Sequence, residues 1–88
     1  MTSPISQKIT LGLIQMSCET APEKNLEKAI AAVRDAAKQG AQVVCLPELF
    51  RSQYFCRSED PKFFELAEAI PGPSTQKLGA LAKELGIT

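Results

Sequence analysis

Apolar positions along the chain change period several times, and each change marks an element. From Lys8 to Met16, Ile9, Leu11 and Leu13 alternate with Gly12, Ile14 and Met16, which predicts a first strand covered on both faces. Gly12 on the second face leaves room for a neighbouring element to approach closely. Thr20-Ala21-Pro22-Glu23 combines a capping hydroxyl, a proline tolerated in the first turn and a glutamate three residues after the cap, and so predicts a helix start. Leu26, Ile30, Val33 and Ala37 then recur at helical spacing, while Lys24, Lys28, Asp35 and Lys38 fall off that stripe. Gly40 stands where a glycine just past a helix would end it.

The pattern next shortens to a continuous apolar run, Gln42 to Leu46, which predicts a second strand parallel to the first through a right-handed crossover. The chain is organised around its end, where Val43-Val44-Cys45-Leu46 stops at Pro47 and hands over to Glu48. In open α/β sheets ligands gather outside the carboxyl ends of strands, and Glu48 stands at such an end. Arg51 to Asp60 follows as a long connection with Tyr54 and Phe55 at its centre, against a usual length of about 4–6 residues. Asp60-Pro61 opens a short amphipathic helix with Phe64, Ala67 and Ile70 on one side, broken by Pro71-Gly72-Pro73. Ser74 is placed to cap a third helix with the stripe Leu78, Leu81, Ala82 and Leu85; Gly86 ends it, and Ile87-Thr88 opens another strand.

This order predicts an α/β fold, β-α-β-α-α with a parallel strand pair. Two parallel strands leave both edges unpaired and both faces short of cover, so the chain is expected to be roughly the first third of a larger α/β domain, incomplete as it stands. Residues 1–7 read as a flexible leader and residues 8–88 as the N-terminal portion of that domain.

Composition narrows the function classes. Hydrophobic residues at 44% and charged residues at 23% are ordinary for a globular protein and remove disorder and collagen-like structure from consideration. Ten basic residues balance ten acidic ones without clustering, so neither nucleic acid nor an anionic membrane is the expected partner, and a small molecule or protein is. Cys18, Cys45 and Cys56 are odd in number and lack metal-type spacing, which argues against a disulfide framework or a zinc site and suits a reducing cytosol. The absence of histidine removes Ser-His and Cys-His activation from this stretch, leaving Asp, Glu, Lys or Tyr as any general base.

Of the chemistry-bearing residues, Glu48 on position alone reads either as a solvated loop residue or as a site carboxylate, and Pro47 favours the second by stiffening its exit from the strand. Cys45, inside an apolar strand, reads as a small core residue. Cys18 and Cys56 are weak nucleophile candidates: Cys18 has no adjacent cation to lower its thiol pKa, and Cys56 has only the single neighbouring Arg57, which is common on any surface. Tyr54 and Phe55 either line a substrate pocket or anchor the loop on the core. Arg51 and Arg57 either bind a carboxylate or are solvated surface charges. Ser17-Cys18-Glu19-Thr20 after the first strand holds no glycine-rich turn, which disfavours a dinucleotide or P-loop site.

Taken together, Ile14-Gln15-Met16, Asn25-Leu26, the run from Gly40 to Phe50 and Ile70-Pro71-Gly72-Pro73-Ser74 resemble the nitrilase superfamily of carbon–nitrogen hydrolases, nearly end to end. Within it, Leu46-Pro47-Glu48-Leu49-Phe50 followed by Tyr54-Phe55-Cys56 looks most like the N-carbamoyl amidohydrolases of the N-carbamoylputrescine amidase kind. The resemblance implies a four-layer α-β-β-α sandwich, a Glu-Lys-Cys triad in which Glu48 matches the glutamate, Tyr54 in the substrate pocket, a small linear amide or N-carbamoyl amine as substrate, no metal or organic cofactor, a cytoplasmic location and a homo-oligomeric whole protein. The triad's lysine and cysteine lie on later strands of the family, and neither Lys77, Lys83 nor any cysteine of this chain matches them. The chain by itself is therefore expected to be inert, and the alternative is an interaction piece that docks through unpaired strands.

Overall fold

The structure, a computed structural model, describes residues 8–53 and 66–88. Its elements run β1 (Leu11–Leu13), α1 (Pro22–Lys38), β2 (Val43–Cys45) and α2 (Pro73–Leu85). The two strands are parallel, with Leu11 opposite Val43, Gly12 opposite Val44 and Leu13 opposite Cys45. Both are shorter than their apolar runs, although the ladder continues one residue either way: Gln42 N–H donates to the Thr10 carbonyl at 2.8 Å and Ile14 N–H to the Cys45 carbonyl at 3.0 Å. On the other edge of β2, Thr88 N–H donates to the Gln42 carbonyl at 3.0 Å and Val44 N–H to the Thr88 carbonyl at 2.8 Å; Thr88 thus bonds to β2 where a further strand was expected, although the sheet among the described residues has two strands.

α1 begins one residue later than the Thr20 capping box required. Pro22 takes the first helical position and holds Ala21 in extended backbone, which makes Ala21 the residue before the helix and moves Glu23 out of reach for a reciprocal cap. The helix closes as expected at Gly40, whose φ of 98° lies in the left-handed region. There Gly40 N–H donates to the Ala37 carbonyl at 3.0 Å and Ala41 N–H to the Ala36 carbonyl at 3.0 Å, the paired bonds of a Schellman turn. Gly86 ends α2 in the same way, with its own N–H on the Lys83 carbonyl and that of Ile87 on the Ala82 carbonyl. The cap expected from Ser74 is not formed, because Pro73 starts α2 and Gly72 precedes it.

Among the described residues the buried hydrophobic ones are Leu26, Ala29 and Val33 of α1, Ala41 before β2, and Leu81 of α2. α1 lies directly over Gly12: a β-carbon placed there would stand 3.0 Å from the Ala36 Cβ and 3.1 Å from the Ala41 Cβ. The predicted close approach to Gly12 is thus made by α1. The other face of the sheet corrects the expectation of cover on both sides, with Ile9, Leu11 and Leu13 at 67%, 61% and 75% exposure. Cys45 shares that bare face through its register with Leu13 and is exposed, not a core residue. α1 covers one side of the strand pair, α2 packs on α1, and the other side is left open.

The helix expected from Asp60 falls largely outside the described residues, and its far end is not helical. Ala67 to Ile70 is irregular and Ile70 is 89% exposed, as suits a residue held out of helical backbone by the following Pro71. The leader, residues 1–7, also lies outside the described residues.

Candidate active site

Glu48 sits in a turn that begins where Pro47 ends the exit from β2, and it is exposed. The three residues after it are each held by a backbone carbonyl. The single S–H of Cys18 is shared between the carbonyls of Phe50 at 3.2 Å and Leu49 at 3.6 Å. Asn25 Nδ2 donates to the Arg51 carbonyl at 2.9 Å and to the Glu19 carbonyl at 2.8 Å, while its Oδ1 accepts the Glu19 N–H at 2.6 Å. That amide is completely buried, and three of its hydrogen-bonding positions are filled. A further bond from Gln53 Nε2 to the Cys18 carbonyl at 3.4 Å joins the same two loops.

Arg51 carries the turn to α2. Its Nη1 donates to the Leu66 carbonyl at 3.2 Å, and its Nε stands 2.6 Å from Glu68 Oε2 as an ion pair rather than an aligned hydrogen bond. Glu68 Oε2 also accepts the Ser74 hydroxyl at 2.6 Å, and its Oε1 accepts the Ser74 N–H at 2.9 Å. Glu68 so satisfies an orphan N–H in the first turn of α2, the task expected of Ser74. The Ser74 hydroxyl first, the Ser74 N–H next and then Arg51 hold the Glu68 carboxyl below the usual glutamate range, against the opposing effect of burial.

The structure therefore brings Glu48, Cys18 and Arg51 into one region and changes the reading of the last two. Cys18 acts as a weak hydrogen-bond donor to backbone. Arg51 does meet a carboxylate, one supplied by this chain. Tyr54, expected in a substrate pocket, lies outside the described residues, as do Phe55, Cys56 and Arg57. Reading from sequence missed Glu68, which no spacing rule points to across Pro71-Gly72-Pro73. Asn25 was legible in principle, since it falls on the same helical stripe as Ala29 and Val33, where an amide must find partners.

The parallel strand–helix–strand unit is that of an α/β protein, and its Glu48 carboxylate stands just past the carboxyl end of the second strand, where ligands gather in open sheets of this class. The chain belongs to the carbon–nitrogen hydrolase family, whose sequence profile matches residues 10–88. It is 48% identical over 75 residues to omega-amidase NIT2 of Bos taurus, covering 84% of this chain and 25% of that protein. The omega-amidase NIT2 of Homo sapiens is 46% identical over 78 residues, covering 88% and 26%. N-carbamoylputrescine amidase of Oryza sativa subsp. japonica is 35% identical over 81 residues, covering 91% and 27%. The chain spans about a quarter of the length of the curated relatives it matches. No helix among the described residues is long and apolar enough to cross a membrane.

Proposed function

We propose that a full-length protein carrying this segment is a cysteine-dependent amidohydrolase that cleaves the non-peptide C–N bond of a small linear amide, with Glu48 as general base. The observation that supports it is the placement of Glu48 between Pro47 and three successive residues whose carbonyls are all held, at the carboxyl end of β2 in a chain of this family. A carboxylate fixed there takes the proton from a cysteine thiol supplied by later sequence, and the thiolate attacks the amide carbon. A lysine from later sequence stabilises the oxyanion. The carboxyl returns its proton to the leaving nitrogen, then takes one from the water that breaks the thioester and restores the thiol. No step calls on a metal or organic cofactor, the compartment proposed is the cytosol, and the whole protein is proposed as a homo-oligomer.

Two substrate classes are in view. Higher identity to proteins named omega-amidase supports a terminal carboxamide on a short linear carbon chain. The run Leu46 to Phe50 followed by Tyr54-Phe55-Cys56, with the 35% relative, supports an N-carbamoyl amine such as N-carbamoylputrescine, and with it a place in polyamine synthesis. Both release ammonia, but only the N-carbamoyl substrate also releases carbon dioxide. Assaying the full-length protein for both gases against each substrate class tests the reading: ammonia alone from the carboxamide fits the first, ammonia with carbon dioxide the second, and neither product from either class contradicts the proposal.

A further inference from the structure

The Arg51–Glu68 pair stands apart from ordinary surface pairs in this chain. Its side chains are 24% and 16% exposed, whereas the other arginine–glutamate pair among the described residues, Arg34 of α1 with Glu84 of α2, is 49% and 56% exposed. Partial burial brings weaker solvent screening, and Glu68 spends both oxygens on fixed partners. The pair joins two places that matter differently. At one end is the first turn of α2, held by Ser74 on Glu68. At the other is a residue three positions after Glu48, whose own carbonyl is held by Asn25. Cys18 and Asn25 fix the turn from the β1–α1 side, and Arg51 links it through Glu68 to Ser74 in the first turn of α2.

From this geometry we infer that Arg51 and Glu68 are positioning residues for the Glu48 carboxylate, setting the angle at which it leaves the turn; the inference rests on Glu48 being the general base. Neither residue needs to touch substrate. A guanidinium gripped by a doubly anchored carboxylate stops the turn from pivoting about its Asn25 and Cys18 contacts, and a pivot there moves Glu48 relative to any nucleophile and water it serves. Misplacement of a catalytic group by about 1 Å costs on the order of a hundredfold in rate. The pair would therefore be felt in turnover and not in substrate affinity.

The test uses the full-length protein, with rates normalised to folded protein by circular dichroism. Arg51→Met, the milder Arg51→Lys and Glu68→Gln are compared singly, and Arg51→Met with Glu68→Gln as a double variant; Arg34→Ala is the control for loss of a surface pair. The expected result is a fall in kcat of roughly tenfold to a hundredfold for Arg51→Met and Glu68→Gln with KM within about twofold, and a smaller fall for Arg51→Lys. The double variant is expected to be no slower than the worse single one, because the two residues act as one unit. Unchanged kcat per folded molecule in Arg51→Lys and Glu68→Gln, or strictly additive losses, would overturn the inference. Glu48→Gln run alongside separates the two levels: full turnover in that variant defeats the general-base reading itself, whereas its inactivity beside normal Arg51 and Glu68 variants defeats only the positioning role.

Discussion

Asn25, completely buried in the first turn of α1, donates to the backbone carbonyl of Arg51 at 2.9 Å from a position 26 residues earlier in the chain. The same amide closes both hydrogen bonds of Glu19, so one side chain fastens the entry to α1 onto the turn that carries Glu48. Asn25→Ala strands those backbone groups, and chemical denaturation of the full-length protein is expected to show a loss of about 1–3 kcal/mol. Asn25→Asp is expected to be worse near neutral pH, because a carboxylate oxygen would then face the Arg51 and Glu19 carbonyls. Lowering the pH restores a proton that can be donated, so this variant should regain stability in acid. Equal stability of Asn25→Asp and the parent protein at pH 7 would contradict the donor assignment.

Glu68 provides a pH signature of the opposite sign. Its carboxyl is held below the ordinary range by the Ser74 hydroxyl, the Ser74 N–H and Arg51, so the folded state favours the charged form. A depressed folded pKa contributes stability that is present above the unfolded value, about 4.3 for glutamate, and is lost as the pH falls through the folded value. The Tm difference between the parent protein and Glu68→Gln is thus expected to be largest near neutrality and to shrink below about pH 4. A difference that does not vary with pH would mean the carboxylate charge is not what Ser74 and Arg51 recognise.

Gly12 is the point where α1 meets the sheet. A methyl there would stand 3.0 Å from the Ala36 Cβ and 3.1 Å from the Ala41 Cβ, atoms fixed to backbone that cannot swing away. Gly12→Ala is expected to cost about 1–3 kcal/mol as an overpacked contact, and Gly12→Val more, read from denaturant midpoints. Gly40 presents the contrast, since a β-carbon there meets nothing within 4 Å and the penalty arises from its φ of 98° alone.

How far the sequence was legible follows from which forces are local. The periodicity of Leu26, Ile30, Val33 and Ala37, the two terminal glycines and the apolar run into Pro47 are properties of neighbouring residues, and the elements they predict are present. Thr20 and Ser74 misled because a nearby proline, Pro22 two positions after the one and Pro73 one position before the other, takes the first position of each helix. Cys45 and the face of Leu11 and Leu13 misled because burial depends on what else is packed against a strand, which no local pattern states. Of the candidate site, the position of Glu48 just after β2 was legible, whereas the contacts of Asn25, Arg51 and Glu68 span separations of up to 26 residues that only the folded chain brings together.

The bare face formed by Ile9, Leu11 and Leu13 bears on the 88 residues taken alone. A strand pair with one uncovered apolar face, and with little more than Thr88 on the outer edge of β2, is expected to self-associate or to melt without cooperativity. Analytical ultracentrifugation with thermal circular dichroism reads this directly, and a monomer with a sharp two-state melt would show that the strand pair is self-sufficient.

The most direct test of Glu48 is the turnover of Glu48→Gln in the full-length protein on the better of the two substrate classes. That change removes one charge at nearly constant shape. Loss of a general base is expected to lower kcat by roughly a hundredfold to ten-thousandfold with the far-ultraviolet circular dichroism spectrum unchanged. A kcat within a few-fold of the parent protein would contradict Glu48 as the general base.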